Sequence, residues 1–121
     1  MERKEKGAHV SGTDANALKY VMNDSQSTAK VISAYLVPHV SVATHASNYI
    51  TTTIAANGAT IASHTTNSTG GSAMTAGTPI ALTLSGDTNV ASRAVVTVTV
   101  TKSGTGPAYS FDADLEFEPV R

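Results

Sequence analysis

A regular alternation of apolar and polar side chains over residues 94–118 constrains this chain more than any other feature. Successive side chains of a β-strand point to opposite faces, so a period of two predicts strands with one dry and one wet face. The first run places Val96, Val98 and Val100 on one face and threonines on the other. The second run has an apolar row made of Tyr109, Phe111, Ala113, Leu115 and Phe117. Because a glycine-rich segment joins the two runs, we predict that they form a β-hairpin.

Strand patterns also occupy most of the chain from residue 30 onward. Asn57-Gly58 separates two such runs and predicts a type I′ hairpin turn, since both central positions of that turn need a positive φ. About six strands and no sustained helical period predict an all-β, antiparallel β-sandwich. The pattern does not separate a jelly roll from an immunoglobulin-like sandwich. The missing Cys…Trp…Cys signature favours the jelly roll.

Residues 1–28 differ from the rest of the chain, so we predict an extended N-terminal arm over 1–28 and a β-sandwich domain over 29–121. The arm is polar apart from a short apolar patch. Two interpretations stay open: a flexible terminus, or an arm that orders against a neighbouring subunit or a host surface. Residues 14–22 could also form a short helix with Asp14 as its cap. The candidate partner-binding residues of the arm are Leu18, Tyr20, Val21 and Met22.

The composition excludes several classes of protein. The chain has no cysteine, so disulfides, thiolate catalysis and cysteine zinc sites are excluded. A formal net charge of −1 makes nucleic acid an improbable partner, and no apolar run approaches the roughly 20 residues of a membrane-spanning helix. With aromatic residues at 5%, the chain has few large side chains for a core. Burial in an oligomer is a common remedy, so we expect a homo-oligomer.

Four carboxylates follow one face of the last predicted strand, and they are the second candidate partner-binding set: Asp112, Asp114, Glu116 and Glu118. Such a row can bind a cation, form a glycosidase pair, or attract a basic partner. It can also be a solvated face whose charge prevents edge-to-edge pairing, which is the interpretation that we favour.

The sequence predicts neither a catalytic site nor a cofactor. Its histidines are His9, His39, His45 and His64, and none of them pairs at a spacing typical of metal ligands. No Gly-x-Ser-x-Gly elbow occurs. We therefore expect no enzymatic activity, no bound metal and no small-molecule substrate.

The order of segments resembles a known class of virion proteins. An aliphatic strand ending in Leu36-Val37-Pro38 is followed by the segment Thr75–Leu84 and then by the turn Thr101–Gly106. Across roughly residues 30–118 the chain is similar to the small β-sandwich virion proteins of tailed bacteriophages, especially capsid decoration (cement) proteins.

The resemblance implies a protein without enzymatic activity, made in the cytoplasm of a host bacterium and located on the capsid surface of the virion. Its partner would be the major capsid protein, which it would bind as a homotrimer to stabilise the shell. The N-terminal arm would provide part of the contact with the capsid. Two alternatives stay open: a tail or fibre protein, and a carbohydrate-binding or adhesin-like module.

Overall fold

The computed structural model describes residues 4–12, 17–24, 26–105 and 107–120. None of these residues belongs to a helix with the length and hydropathy needed to cross a bilayer. The described residues form nine strands, which are β1 Lys4–Gly12, β2 Ala17–Met22, β3 Ala29–Pro38, β4 Tyr49–Ala56, β5 Ala59–Thr65, β6 Ile80–Leu82, β7 Asn89–Val90, β8 Val95–Ser103 and β9 Tyr109–Pro119.

The strands form two antiparallel sheets that pack face to face. One sheet has the order β1-β9-β3-β6, and the short β7 pairs with the start of β3 along the same edge as β6. The other sheet has the order β2-β8-β4-β5. The predicted all-β, antiparallel β-sandwich is therefore confirmed.

The core lies between the two sheets and is built from the alternating runs. Val96, Val98 and Val100 are completely buried on the inner face of β8. The apolar row of β9 is buried as well, with Phe111 and Leu115 among its members. The polar side chains between them point outward, so the alternation predicts correctly which side chains form the core.

The two predicted hairpins have different outcomes. The hairpin at Asn57-Gly58 is confirmed, because β4 pairs with β5 and both turn residues have positive φ, 56° and 75°. The prediction of a hairpin between β8 and β9 is wrong, because β8 pairs with β2 and β4 whereas β9 pairs with β1 and β3. The chain crosses from one sheet to the other after β8. This arrangement sets the two apolar rows against each other across the core.

Gly104 lies at the start of this crossing, where the backbone conformation and the nearby loop both require glycine. Its φ is 64°, a conformation that side chains with a Cβ rarely adopt. A Cβ at this position would also meet the Asn48 side chain and the Ser47 carbonyl oxygen. The glycine-rich segment therefore permits a close passage over the neighbouring loop, not a tight turn between paired strands.

Residues 4–12 and 17–22, which belong to the predicted arm, form two strands of the sandwich. β1 pairs with β9 along its whole length, and β2 pairs with β8. The expected helix is wrong for residues 17–22, which are strand, while its cap Asp14 lies outside the described residues. β1 and β2 thus cover the edges of the long strands β9 and β8. A segment as short as residues 17–22 is stabilised more by this pairing than by an isolated helix.

Candidate functional site

An exposed apolar patch lies on the outer face of the four-stranded sheet. Leu18, Tyr20 and Met22 point outward from β2 with 46%, 61% and 43% of their surface exposed. Val95 of β8 lies directly opposite Met22 in the register and is 40% exposed. We call these four residues the β2–β8 patch. Contiguous exposed apolar side chains on a folded protein commonly mark an interaction surface.

Threonine side chains extend this outer face away from the patch. Thr97 and Thr99 of β8 lie opposite Tyr20 and Leu18, and Thr99 lies opposite Thr53 of β4 on its other side. These threonines are partly buried by their neighbours. Further along the same face, the Thr51 hydroxyl donates a hydrogen bond to the Thr65 hydroxyl over 3.1 Å. A face of methyl groups and internally bonded hydroxyls loses little when a partner excludes water from it.

The prediction that Val21 belongs to the partner-binding surface of the arm is wrong. It is 3% exposed and belongs to the core, because it alternates with Tyr20 and Met22 on β2. In this fold Val21 therefore stabilises the sandwich and is not available to a partner.

The acidic row lies on the opposite side of the molecule, on the outer face of the five-stranded sheet. Its members Asp112, Asp114, Glu116 and Glu118 alternate with the buried row of β9, as predicted. β9 is a central strand flanked by β1 and β3, so the interpretation that these charges protect an exposed edge is wrong. The two predicted partner-binding sets thus belong to two separate surfaces.

One member of the acidic row joins two histidines that are distant in sequence. His9 Nδ1 donates a hydrogen bond to Asp112 Oδ1 over 2.8 Å, and His39 Nε2 lies 3.2 Å from Asp112 Oδ2. The two imidazole rings are 5.2 Å apart between centroids. We call these three residues the histidine–aspartate cluster. Because a carboxylate can only accept, both ring nitrogens facing Asp112 carry a proton in this arrangement.

The backbone explains why these three side chains meet. His9 on β1 is the register partner of Asp112 on β9, and Val37 on β3 is the register partner of Asp112 on the other side. His39 follows two residues after Val37, and its N–H donates to the Ser110 carbonyl over 2.8 Å. The order β1-β9-β3 therefore brings together residues separated by up to 103 positions in the chain.

The electrostatics of the cluster favour an ionised Asp112. The hydrogen bond from His9 holds the pKa of Asp112 below its ordinary value. The hydrogen bond and charge of His39 act in the same direction, whereas partial burial opposes them. An ionised carboxylate between two imidazoles accepts hydrogen bonds from both rings and attracts positive charge to this position.

Sequence reasoning missed this cluster because it looked for histidines at short spacings. The signal was present in two alternations: His9 lies between apolar positions of one strand, and Asp112 lies on the polar face of another. Only the pairing of β1 with β9 relates them, and neither strand encodes that pairing locally.

The other two histidines have different surroundings. The His45 Nδ1 atom accepts hydrogen bonds from the backbone N–H groups of Ser47 and Asn48, which fixes the loop before β4. His64 of β5 lies near the β6 edge, with Nε2 3.0 Å from the Ser72 hydroxyl oxygen. Among the described residues, His64 Nδ1 has no hydrogen-bond partner and is buried. Among the described residues, no third group therefore orients the His64 imidazole toward Ser72 as the aspartate of a catalytic triad does.

His64 gives a prediction on the pH dependence of stability. Burial lowers its pKa from the ordinary value of 6.5, so the unfolded chain binds a proton more readily than the folded one. The stability linked to His64 is therefore present at neutral pH and is lost as the pH falls below about 6.5. We expect the urea midpoint to fall from pH 7.5 to pH 5.5, and to fall less in His64→Gln. An equal fall in both proteins would contradict this assignment.

Comparisons with protein-family models, curated proteins and solved structures found no match to this chain.

Proposed function

We propose that this protein is a structural, non-enzymatic component of a phage virion that binds the outer surface of the capsid shell. The partner in this proposal is the major capsid protein, and the protein acts as a homotrimer that stabilises the assembled shell. Two things support it: the resemblance of residues 30–118 to capsid decoration proteins, and the β2–β8 patch.

The β2–β8 patch is the observation that carries the proposal. Tyr20 exposes more of its surface than any other large apolar side chain described, and Leu18, Met22 and Val95 surround it. β2 is also an edge strand of its sheet. Aromatic and methionine side chains are enriched in the centres of protein interfaces, where they contribute most of the binding energy.

Charge favours the same face over the opposite one. The outer face of β9 carries Asp112, Asp114, Glu116 and Glu118, whereas the face around the patch is mostly apolar or threonine. Burying four carboxylates against a shell would require matching positive charges on the partner, whereas an apolar face requires none. We therefore assign the face around the β2–β8 patch to the shell and the acidic face to the solvent.

We interpret the strand order as that of a jelly roll. In it, β1, β9, β3 and β6 face β2, β8, β4 and β5, and most successive strands change sheet. A trimer of such domains would attach to a symmetric shell at three points. Each contact can then be weak while the whole attachment is firm, because the second and third contacts are intramolecular.

Tyr20→Ser tests the assignment of the binding face. We expect the variant to fold normally, because the side chain is mostly exposed, and to bind shells about 30-fold more weakly. The magnitude corresponds to the roughly 2 kcal/mol that truncation of an interface tyrosine costs. The measurement is co-sedimentation with empty shells, which are assembled from the major capsid protein whose gene lies in the same genome as the gene for this protein.

Tyr35→Ser is the matched control. Tyr35 is a 42% exposed tyrosine on β3, in the sheet opposite the patch. Its removal should leave co-sedimentation unchanged. Failure of the unaltered protein to sediment with shells would contradict the proposed function. Equal weakening by both substitutions would contradict the assignment of the face. Light scattering tests the trimer, and a monomer at micromolar concentration would contradict that part.

A further inference from the structure

We propose that His9, His39 and Asp112 form a binding site for a divalent transition-metal ion of the Zn²⁺ class. The site lies on the outer face of the five-stranded sheet, where one ion would link β1 and β9 to the residue that follows β3. It is independent of the proposed attachment to a shell, which uses the opposite face of the sandwich.

The distances fit coordination of a single ion. One nitrogen from each imidazole and one carboxylate oxygen all lie within 4.8 Å of one another. Zinc binds histidine nitrogen and carboxylate oxygen at about 2.0–2.2 Å, which places tetrahedral ligand atoms about 3.3 Å apart. His9 Nδ1 lies 2.8 Å from Asp112 Oδ1 and His39 Nε2 lies 3.2 Å from Asp112 Oδ2, so each imidazole is already near this separation from one oxygen of the carboxylate. Small side-chain rotations would therefore complete the site.

The backbone holds the ligands in place before any ion binds. His9 and Asp112 are direct partners in the β1–β9 ladder, and Asp112 is on the central strand. The backbone of His39 is held by the hydrogen bond that its backbone N–H donates to the Ser110 carbonyl oxygen. Because the ladder orders the backbones of His9 and Asp112 and the hydrogen bond to Ser110 orders that of His39, binding an ion costs less conformational entropy than at a flexible site.

A second hydrogen bond supports the orientation of His9. Its Nε2 atom lies 3.4 Å from the Ser110 hydroxyl oxygen, on the far side of the ring from Asp112. In the metal-bound form Nδ1 carries no proton and the neutral ring holds its one proton on Nε2, so the Nε2–H group can donate a hydrogen bond to the Ser110 hydroxyl oxygen. Metal-binding histidines usually donate their other N–H to such a partner.

The donor set selects the class of ion. Two imidazole nitrogens with one carboxylate suit Zn²⁺, Co²⁺, Ni²⁺ and Cu²⁺, whereas Ca²⁺ and Mg²⁺ prefer sites built from oxygen ligands. The side chains of His9, His39 and Asp112 are about half exposed. Three protein ligands at the surface leave a fourth position for water or for a side chain of a partner.

An ion in this position would connect β1 to β9 and to the end of β3. The three ligands come together only in the folded chain, so the ion binds the folded state and stabilises it. At a free zinc concentration 100 times the dissociation constant, we expect the melting temperature to rise by roughly 5–15 °C.

The test is calorimetric titration of the untagged full chain with zinc chloride, with melting curves at each zinc concentration. We expect one ion per chain. His9→Ala, His39→Ala and Asp112→Asn should each weaken binding about 10-fold to 100-fold or more, because loss of a ligand is at least as costly as loss of a supporting group. Asp114→Asn is the matched control, since Asp114 is the next carboxylate on the same face of β9. It should bind zinc like the unaltered chain.

A second measurement uses the unaltered protein and does not depend on the folding of any variant. Zinc should shift the NMR signals of the His9 and His39 rings and leave those of His45 and His64 unchanged. No binding of zinc up to millimolar concentration would overturn the proposal. Equal binding by all four variants, or shifts at His45 or His64 in place of the cluster, would also overturn it.

Discussion

Replacing Phe111 with alanine is expected to destabilise the protein by about 3–5 kcal/mol, the cost of removing a buried aromatic ring from a close-packed core. Phe111 has no exposed surface and lies on the central strand β9 between Val10 of β1 and Pro38 of β3. Its ring fills space between the two sheets, and the neighbouring backbone is held by two ladders. The structure therefore cannot collapse far into the cavity. Urea unfolding followed by circular dichroism measures the change.

Tyr35→Ala provides the control for Phe111→Ala. Tyr35 is an aromatic residue of the adjacent strand β3, but it points outward and is substantially exposed. Truncation at the surface usually changes stability by no more than about 0.5 kcal/mol. A loss below about 1 kcal/mol for Phe111→Ala would contradict this packing of the two sheets. Complete unfolding of the variant would agree with it, because a domain of this size has only about 5–15 kcal/mol of stability.

Replacing Asn23 with alanine is the second large effect, with an expected loss of about 2–3 kcal/mol. Asn23 is 3% exposed, and its side-chain amide donates to the carbonyl oxygens of Val90, Ser27 and Ala91 over 2.9–3.2 Å. Its backbone also accepts a hydrogen bond from the Arg93 N–H. Alanine would leave carbonyl groups without a donor in a region that water reaches poorly, and each buried unsatisfied group costs about 1–3 kcal/mol.

Two further variants make the Asn23 prediction specific. Asn23→Asp keeps the shape of the side chain but replaces the donating amide with an acceptor, so it should destabilise at least as much as alanine. Asn89→Ala removes an exposed amide beside the same loop and should change stability by less than about 0.5 kcal/mol. Urea midpoints of all three variants give the comparison. A loss for Asn23→Ala no larger than that for Asn89→Ala would contradict the role of this amide.

The sequence predicts the identity of the core better than the pairing of the strands. Side-chain alternation is a local property, so the burial of Val98 and Phe111 follows directly from the pattern. Pairing depends on residues far apart in the chain. The two-residue turn at Asn57-Gly58 does restrict its flanking strands to each other, which is why that hairpin was predictable. The longer, glycine-rich connection after Ser103 permits a hairpin or a crossing, and the crossing buries both apolar rows.

The N-terminal strands were not predictable for a related reason. β1 contains Lys4, Glu5, Lys6 and Gly7, a charged run with no apolar alternation of its own. It is a strand because the long β9 offers it a complete ladder of partners. Tertiary pairing thus overrides weak local propensity.

The candidate surfaces show the same limit. Apolar residues of β2 and carboxylates of β9 could be recognised as unusual, yet only the fold separates them onto opposite faces. Thr52 is a single position that the sequence predicts in part. It occupies an inner position between Ile50 and Ile54 and is completely buried, while Thr51 and Thr53 point outward. The alternation with Ile50 and Ile54 predicts the inward position of Thr52, although the composition of the three threonines alone does not.

Electron cryomicroscopy of empty shells saturated with this protein tests the central claim most directly, because it shows which face of the sandwich meets the shell. We expect density in which Tyr20 and Val95 lie against the capsid protein and the row from Asp112 to Glu118 faces outward. A sandwich bound through the outer face of β9, with the β2–β8 patch open to solvent, would contradict the account, as would shells that carry no bound protein.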